Sequence, residues 1–117
     1  MKKDTQIVHS GRNKKWTGQA VNVPVYHAST IIFDTVAELQ NGIKNFQKKI
    51  PFYGRRGTPT HFAFRDAMVE LEGGHDCLVY PSGLAAINTA LLSFLGSGDH
   101  LLMVDTVYGP TRALCNT

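Results

Sequence analysis

The chain reads as α/β, and three observations predict that class. An apolar segment, Asp76-Cys77-Leu78-Val79-Tyr80, runs into Pro81-Ser82-Gly83 and then into a helical pattern from Leu84 onward. The spacing of Leu84, Ile87, Leu91, Phe94 and Leu95 places them on one helix face. A second apolar segment, Leu101-Leu102-Met103-Val104, follows the return loop Gly96-Ser97-Gly98-Asp99 and shows no polar alternation, as expected of a strand covered on both faces. Strand 76–80, helix 83–95 and strand 100–104 thus make one βαβ unit, right-handed with parallel strands.

The elements ahead of that unit follow in order. Residues 1–33 hold no sustained helical period and are interrupted by Gly11, Gly18 and Pro24. Within them, 21–32 alternates loosely and fits an extended segment. Such an arm cannot build its own core and is expected to lie on another surface, a second subunit in the first place. Thr35-Val36-Ala37-Glu38 fits a capping box, and Val36, Leu39, Ile43, Phe46 and Ile50 keep close to helical spacing, so a helix is expected over 35–50. Gly42 weakens its middle, and Pro51 ends it. After a turn-rich link at 52–57, Thr58-Pro59 starts a second helix, since threonine caps and proline suits the first turn. Phe64, Met68 and Leu71 are expected to share its apolar face, and Gly73-Gly74 to stop it. Pro110 begins a further helix near the end of the sequence.

Composition narrows the function. The 117 residues are 43% hydrophobic and 18% charged, the balance of a globular chain able to bury a core. One βαβ pair leaves sheet edges and a face uncovered, so the sequence reads as the front of a larger protein. No apolar run approaches the roughly 18 residues of a membrane span, and the first 25 residues hold no apolar signal core, so a cytoplasmic location is expected. Cys77 and Cys115 are too few for a disulfide framework, and Cys77 reads as a small buried hydrophobe. The formal charge of +3 and the pairs Lys2-Lys3, Lys14-Lys15, Lys48-Lys49 and Arg55-Arg56 raise nucleic-acid binding as a rival. The pairs are scattered, however, with no zinc finger or basic-region pattern among them, and read mainly as solvated surface. His9, His27, His61, His75 and His100 are widely spaced, so no metal site is expected.

The turn at Pro81-Ser82-Gly83 carries the chemistry. A helix opening there leaves its first amides without intrahelical partners, and with the helix dipole they favour a phosphate. Gly83 has no Cβ to hold a ligand off the backbone. Ser82 has no recognisable His/Asp partner and fits a helix cap or a phosphate donor rather than a nucleophile. Upstream, Tyr53-Gly54-Arg55-Arg56 is a second candidate phosphate binder, and Tyr108 a candidate aromatic for a ring-bearing ligand. Taken singly, the turn reads first as a strand-to-helix corner, the arginines as solvated charge and Tyr108 as a packing residue.

Taken together, these segments resemble one family. Tyr53-Gly54-Arg55-Arg56-Gly57-Thr58-Pro59-Thr60, the helix end Leu71-Glu72-Gly73-Gly74, Pro81-Ser82-Gly83-Leu84-Ala85-Ala86 and the opening Asp4-Thr5-Gln6-Ile7-Val8-His9-Ser10-Gly11-Arg12 are similar to the Cys/Met-metabolism family of pyridoxal-phosphate enzymes, which holds the transsulfuration enzymes. The Tyr-Gly-Arg-Arg-Gly-Thr form most resembles the bacterial cystathionine β-lyase branch. The γ-acting relatives (γ-synthase, γ-lyase and methionine γ-lyase) show serine and asparagine variants there and stay open as alternatives.

The resemblance implies a fold-type I, aspartate aminotransferase-like architecture, working as a homotetramer of catalytic dimers. Residues 1–57 would form an arm and helix contributing to the neighbouring subunit's active site, and 58–117 the beginning of the cofactor domain. The cofactor implied is pyridoxal 5'-phosphate. The amides of Gly83 and Leu84 would hold its phosphate with Ser82, and Tyr53 and Arg55 would reach that phosphate across the dimer. Their i, i+2 spacing in extended chain would put both on one side. Arg56 would face a substrate carboxylate. Tyr108 would stack on the pyridine ring and assist proton transfer. The implied reaction is α,β-elimination from a sulfur amino acid, releasing a thiol, pyruvate and ammonia in methionine biosynthesis. The lysine that carries the cofactor in the family has no counterpart among Lys2, Lys3, Lys14, Lys15, Lys44, Lys48 and Lys49. This chain alone is therefore expected to be inactive, or to act as a phosphate-binding module with a partner chain.

Overall fold

Two sequence signals that open helices act as expected in the computed structural model, which describes residues 2–116. The Thr35 hydroxyl accepts from the Glu38 N–H at 3.2 Å, and the Glu38 carboxylate accepts from the Thr35 N–H at 3.3 Å. This capping box opens a helix, Val36–Lys44. A second helix, Pro59–Glu72, has Thr58 as its N-cap and proline in its first turn. The Thr58 N–H donates to Nδ1 of His61 at 3.2 Å. The helix ends at Gly73, whose φ of 68° is costly for any residue with a Cβ. Counting from the N-terminus these two are α3 and α4.

The helix expected over 35–50 is shorter than its apolar pattern. After Lys44 the chain tightens into a 3-10 turn, Phe46–Lys48, and Lys49 takes a left-handed conformation with φ 57°. That reversal aims the Lys49 ammonium at Asp66 and Asp76. The ion pairs supply a reason for the break that hydrophobic spacing could not.

The expectation of a helix-free arm over 1–33 is corrected. Lys3–His9 forms α1 and Lys14–Thr17 forms α2, both packed on α4 of the same chain. A helix of four residues has no stability of its own in water. Here Asn13 caps it by accepting from the Lys15 N–H at 2.9 Å, and Trp16 anchors it. The Trp16 and Phe62 rings lie 5.3 Å apart, tilted by 50°, and with Ala63 they form the buried core. The buried face of α4 is therefore Phe62 and Ala63, while Phe64, expected inward, is 51% exposed. Segment 21–32 is without helix, and its one bridge joins Thr30 to Tyr53.

The chain forms two compact units, one up to Cys77 and one from Leu78. The second holds α5, Gly83–Phe94, and α6, Gly109–Cys115, packed on each other. Pro110 lies in the first turn of α6, as expected. Between the helices the Asp99 carboxylate accepts from the Gly96 N–H at 2.7 Å and closes the return loop.

The expected strands 76–80 and 100–104 form no ladder among the described residues. A strand exists through the hydrogen bonds of lateral neighbours, and apolar content does not supply them. Leu78, Val79, Leu102 and Val104 are all more than half exposed, and Leu102 is at 97%. The 101–104 segment lines an open cleft of about 320 Å³ together with Val107 and Arg112. Cys77, expected inside, is only half-buried.

Candidate functional site

The N-terminus of α5 has the makings of an anion site. Ser82 is extended, with φ −155°, and its hydroxyl accepts from the Ala85 N–H at 3.1 Å. Its carbonyl accepts from the Ala86 N–H, also at 3.1 Å. The Gly83 and Leu84 amides ahead of these two have no hydrogen-bond partner among the described residues. A Cβ built on Gly83 would meet nothing within 4 Å beyond its chain neighbours and its own helix backbone, so a ligand can come close to the Gly83 backbone. They open a helix of twelve residues, whose aligned peptide dipoles point their positive end at this site. Two free amides, an open approach and a capped helix suit a phosphate group.

Tyr108 is the N-cap residue of α6 and is 62% exposed. Its carbonyl accepts from the Thr111 N–H at 2.9 Å, which fixes the backbone where its ring departs. The loop before it is held by Arg112, whose guanidinium pairs with the Asp105 carboxylate at 2.9 Å. The Tyr108 ring is thus presented on an anchored corner without being packed.

Tyr53, Arg55 and Arg56 lie in the first unit. The expected extended run through them is corrected: Tyr53 is extended, with φ −158°, but Gly54–Arg56 is a 3-10 turn. Strand alternation therefore does not relate Tyr53 to Arg55. The turn brings them together instead, with the Arg55 guanidinium carbon 5.2 Å from the centre of the Tyr53 ring. Neither Arg55 nor Arg56 forms an ion pair among the described residues, and both are exposed.

Sequence reasoning passed over what holds this turn. Gly54 is buried and donates its N–H to the Ser29 carbonyl at 2.7 Å. A Cβ on Gly54 would overlap the Ala28 carbonyl oxygen. The glycine between tyrosine and arginine was the available signal, but its neighbour lies some two dozen residues earlier in the chain. A cluster around α4 was equally hidden. Asp66 accepts from the Trp16 indole N–H at 2.6 Å and pairs with Lys49, and Arg65 meets Asp76 at 2.6 Å. Partial burial pushes the Asp76 carboxyl up, but the Cys77 N–H, Arg65 and Lys49 together outweigh it and hold the group below its ordinary range. Among the described residues no cluster of His, Cys, Asp or Glu has the makings of a metal site, and no helix is long and apolar enough to cross a membrane.

Comparison with known proteins gives a consistent match. The family described as Cys/Met metabolism PLP-dependent enzyme matches residues 4–117. The cystathionine beta-lyase of Escherichia coli K12 is 45% identical over 98% of this chain and 29% of its own length. Those of Salmonella typhimurium and Haemophilus influenzae are each 44% identical, over 97% and 96% of this chain. The chain spans less than a third of the length of these relatives.

Proposed function

Because this chain belongs to the Cys/Met metabolism PLP-dependent enzyme family, we propose that it provides the phosphate-holding part of a carbon–sulfur lyase of the cystathionine β-lyase kind. Membership implies the fold-type I architecture, and the βαβ unit over 76–104 is the part of that fold we assign here. The observation that carries the proposal is the start of α5, where Ser82 caps the helix, the Gly83 and Leu84 amides have no partner among the described residues, and the space beside Gly83 is open. The relatives' name, cystathionine beta-lyase, supplies the substrate class; α,β-elimination at the Cβ–S bond, completed by water, would turn cystathionine into homocysteine, pyruvate and ammonia.

Each residue then has a task. Gly83 and Leu84 donate their amides to the phosphate, and the α5 dipole favours its charge. Tyr53 and Arg55 reach the phosphate of a neighbouring copy, the guanidinium contributing charge-assisted bonds. Arg56 takes the substrate carboxylate. The Tyr108 ring stacks on the cofactor ring, and its hydroxyl moves a proton at the substrate. When bound, pyridoxal phosphate supplies the electron sink that lets a proton leave the α-carbon. Residues 1–57, the arm and helix, contribute to the neighbouring subunit's active site, 58–117 begin the cofactor domain, and the assembly is a cytoplasmic tetramer of catalytic dimers.

The test compares pyridoxal phosphate with pyridoxal in binding titrations of the protein that carries this chain. Gly83→Val closes the open approach. It should weaken pyridoxal phosphate at least about tenfold, since hydrogen bonds to a charged group are lost. Pyridoxal, lacking the phosphate, should change little. Equal losses for both ligands would sink the assignment.

A further inference from the structure

The turn that carries Tyr53 and Arg55 is held from outside itself. Its own hydrogen bonds are two, the Arg56 N–H to the Tyr53 carbonyl at 2.8 Å and the Gly57 N–H to the Gly54 carbonyl at 3.1 Å. Segment 24–30 lies along it and is pinned at both ends. At one end the Gly54 N–H donates to the Ser29 carbonyl at 2.7 Å, beside the Thr30–Tyr53 bridge. At the other, Thr60 in the first turn of α4 uses its hydroxyl twice. The hydroxyl donates to the Pro24 carbonyl at 2.8 Å and accepts from the Tyr26 N–H at 2.9 Å. The contact at Gly54 is so close that no side chain fits there. The two arginines, by contrast, are exposed and unpaired among the described residues.

We propose that segment 24–30 is a splint for the Tyr53 and Arg55 pair, with Gly54 and Thr60 as its positioning residues. The inference rests on the reading of Tyr53 and Arg55 as phosphate binders. An exposed arginine loses side-chain entropy when it binds an anion. A turn already fixed in place spares the backbone share of that loss, which is what preorganisation means for affinity. The splint thus acts on phosphate recognition while touching no phosphate.

Thr60→Val keeps the shape of the side chain and removes both hydrogen bonds, and Thr60→Ser restores them. The reading is the ratio of pyridoxal to pyridoxal-phosphate dissociation constants in the protein that carries this chain, measured beside the melting temperature. Thr60→Val should reduce that ratio about three- to tenfold, the scale of one or two net hydrogen bonds. Thr60→Ser should return it to the parent value. Gly54→Ala should reduce it at least as far. An unchanged ratio in Thr60→Val overturns the splint, whatever happens to the melting temperature. Arg55→Ala separates the two ideas. If it leaves the ratio unchanged, the phosphate reading itself falls. If it lowers the ratio while Thr60→Val does not, only the splint falls.

Discussion

Asp66 joins three elements through one carboxylate, and its removal should show how the first unit is held. One oxygen accepts from the Trp16 indole on α2 at 2.6 Å, and the other pairs with Lys49 beyond α3. Trp16 is 4% exposed, so Asp66→Ala strands its N–H away from water. An unsatisfied buried donor costs about 1–3 kcal/mol. The Lys49 pair adds less, about 1 kcal/mol at most, because both side chains keep contact with solvent. The expected loss is therefore about 1–4 kcal/mol, at roughly 4–8 °C in Tm per kcal/mol for a unit of this size. The assay is thermal unfolding by circular dichroism of Asp66→Ala, Trp16→Phe and the double variant. Phenylalanine has no N–H to strand, so Asp66→Ala should cost about 1 kcal/mol or less in the Trp16→Phe background. Additivity of the two substitutions to within about 0.5 kcal/mol would refute the reasoning, since uncoupled residues add in this way.

Two further outcomes follow from particular groups. Asp76 has its folded pKa lowered, so its contribution to stability is present above the ordinary aspartate value of about 3.9 and is lost as pH falls through the lower folded value. Acid titration should show Asp76→Asn less stable than the parent at pH 7, with the difference shrinking only below about pH 4; a difference already gone at pH 5.5 contradicts the sign. Ser82→Ala should destabilise α5 by about 1 kcal/mol through loss of its cap, whereas Ser82→Asp should keep the cap and, by its charge, weaken pyridoxal phosphate more than pyridoxal. Titration of both ligands against both variants checks this, and equal weakening in Ser82→Asp would count against a phosphate at α5.

Much of this molecule could be read residue by residue because the responsible interactions are local. Thr35 with Glu38, Thr58 with Pro59, Gly73, Ser82 and Pro110 each act within a few residues of themselves, and each marks a helix end in the structure. The Gly83 and Leu84 amides were legible for the same reason, since a helix start leaves its first N–H groups unpaired wherever it occurs. The motifs around Tyr53 and Pro81 also sufficed for the family.

Tertiary structure decided what depends on distant partners. The short α1 and α2 pack on α4, and the face of α4 that is buried, Phe62 and Ala63 rather than Phe64, is the one that Trp16 of α2 covers. Lys49 leaves the helical path where Asp66 and Asp76 can take its charge. Tyr53 and Arg55 meet through a turn whose Gly54 N–H is bonded to the distant Ser29 carbonyl, not through strand alternation. Segments 76–80 and 100–104 have the composition of strands but no ladder among the described residues, because a sheet is a relation between segments and each strand's hydrogen bonds belong to its neighbours.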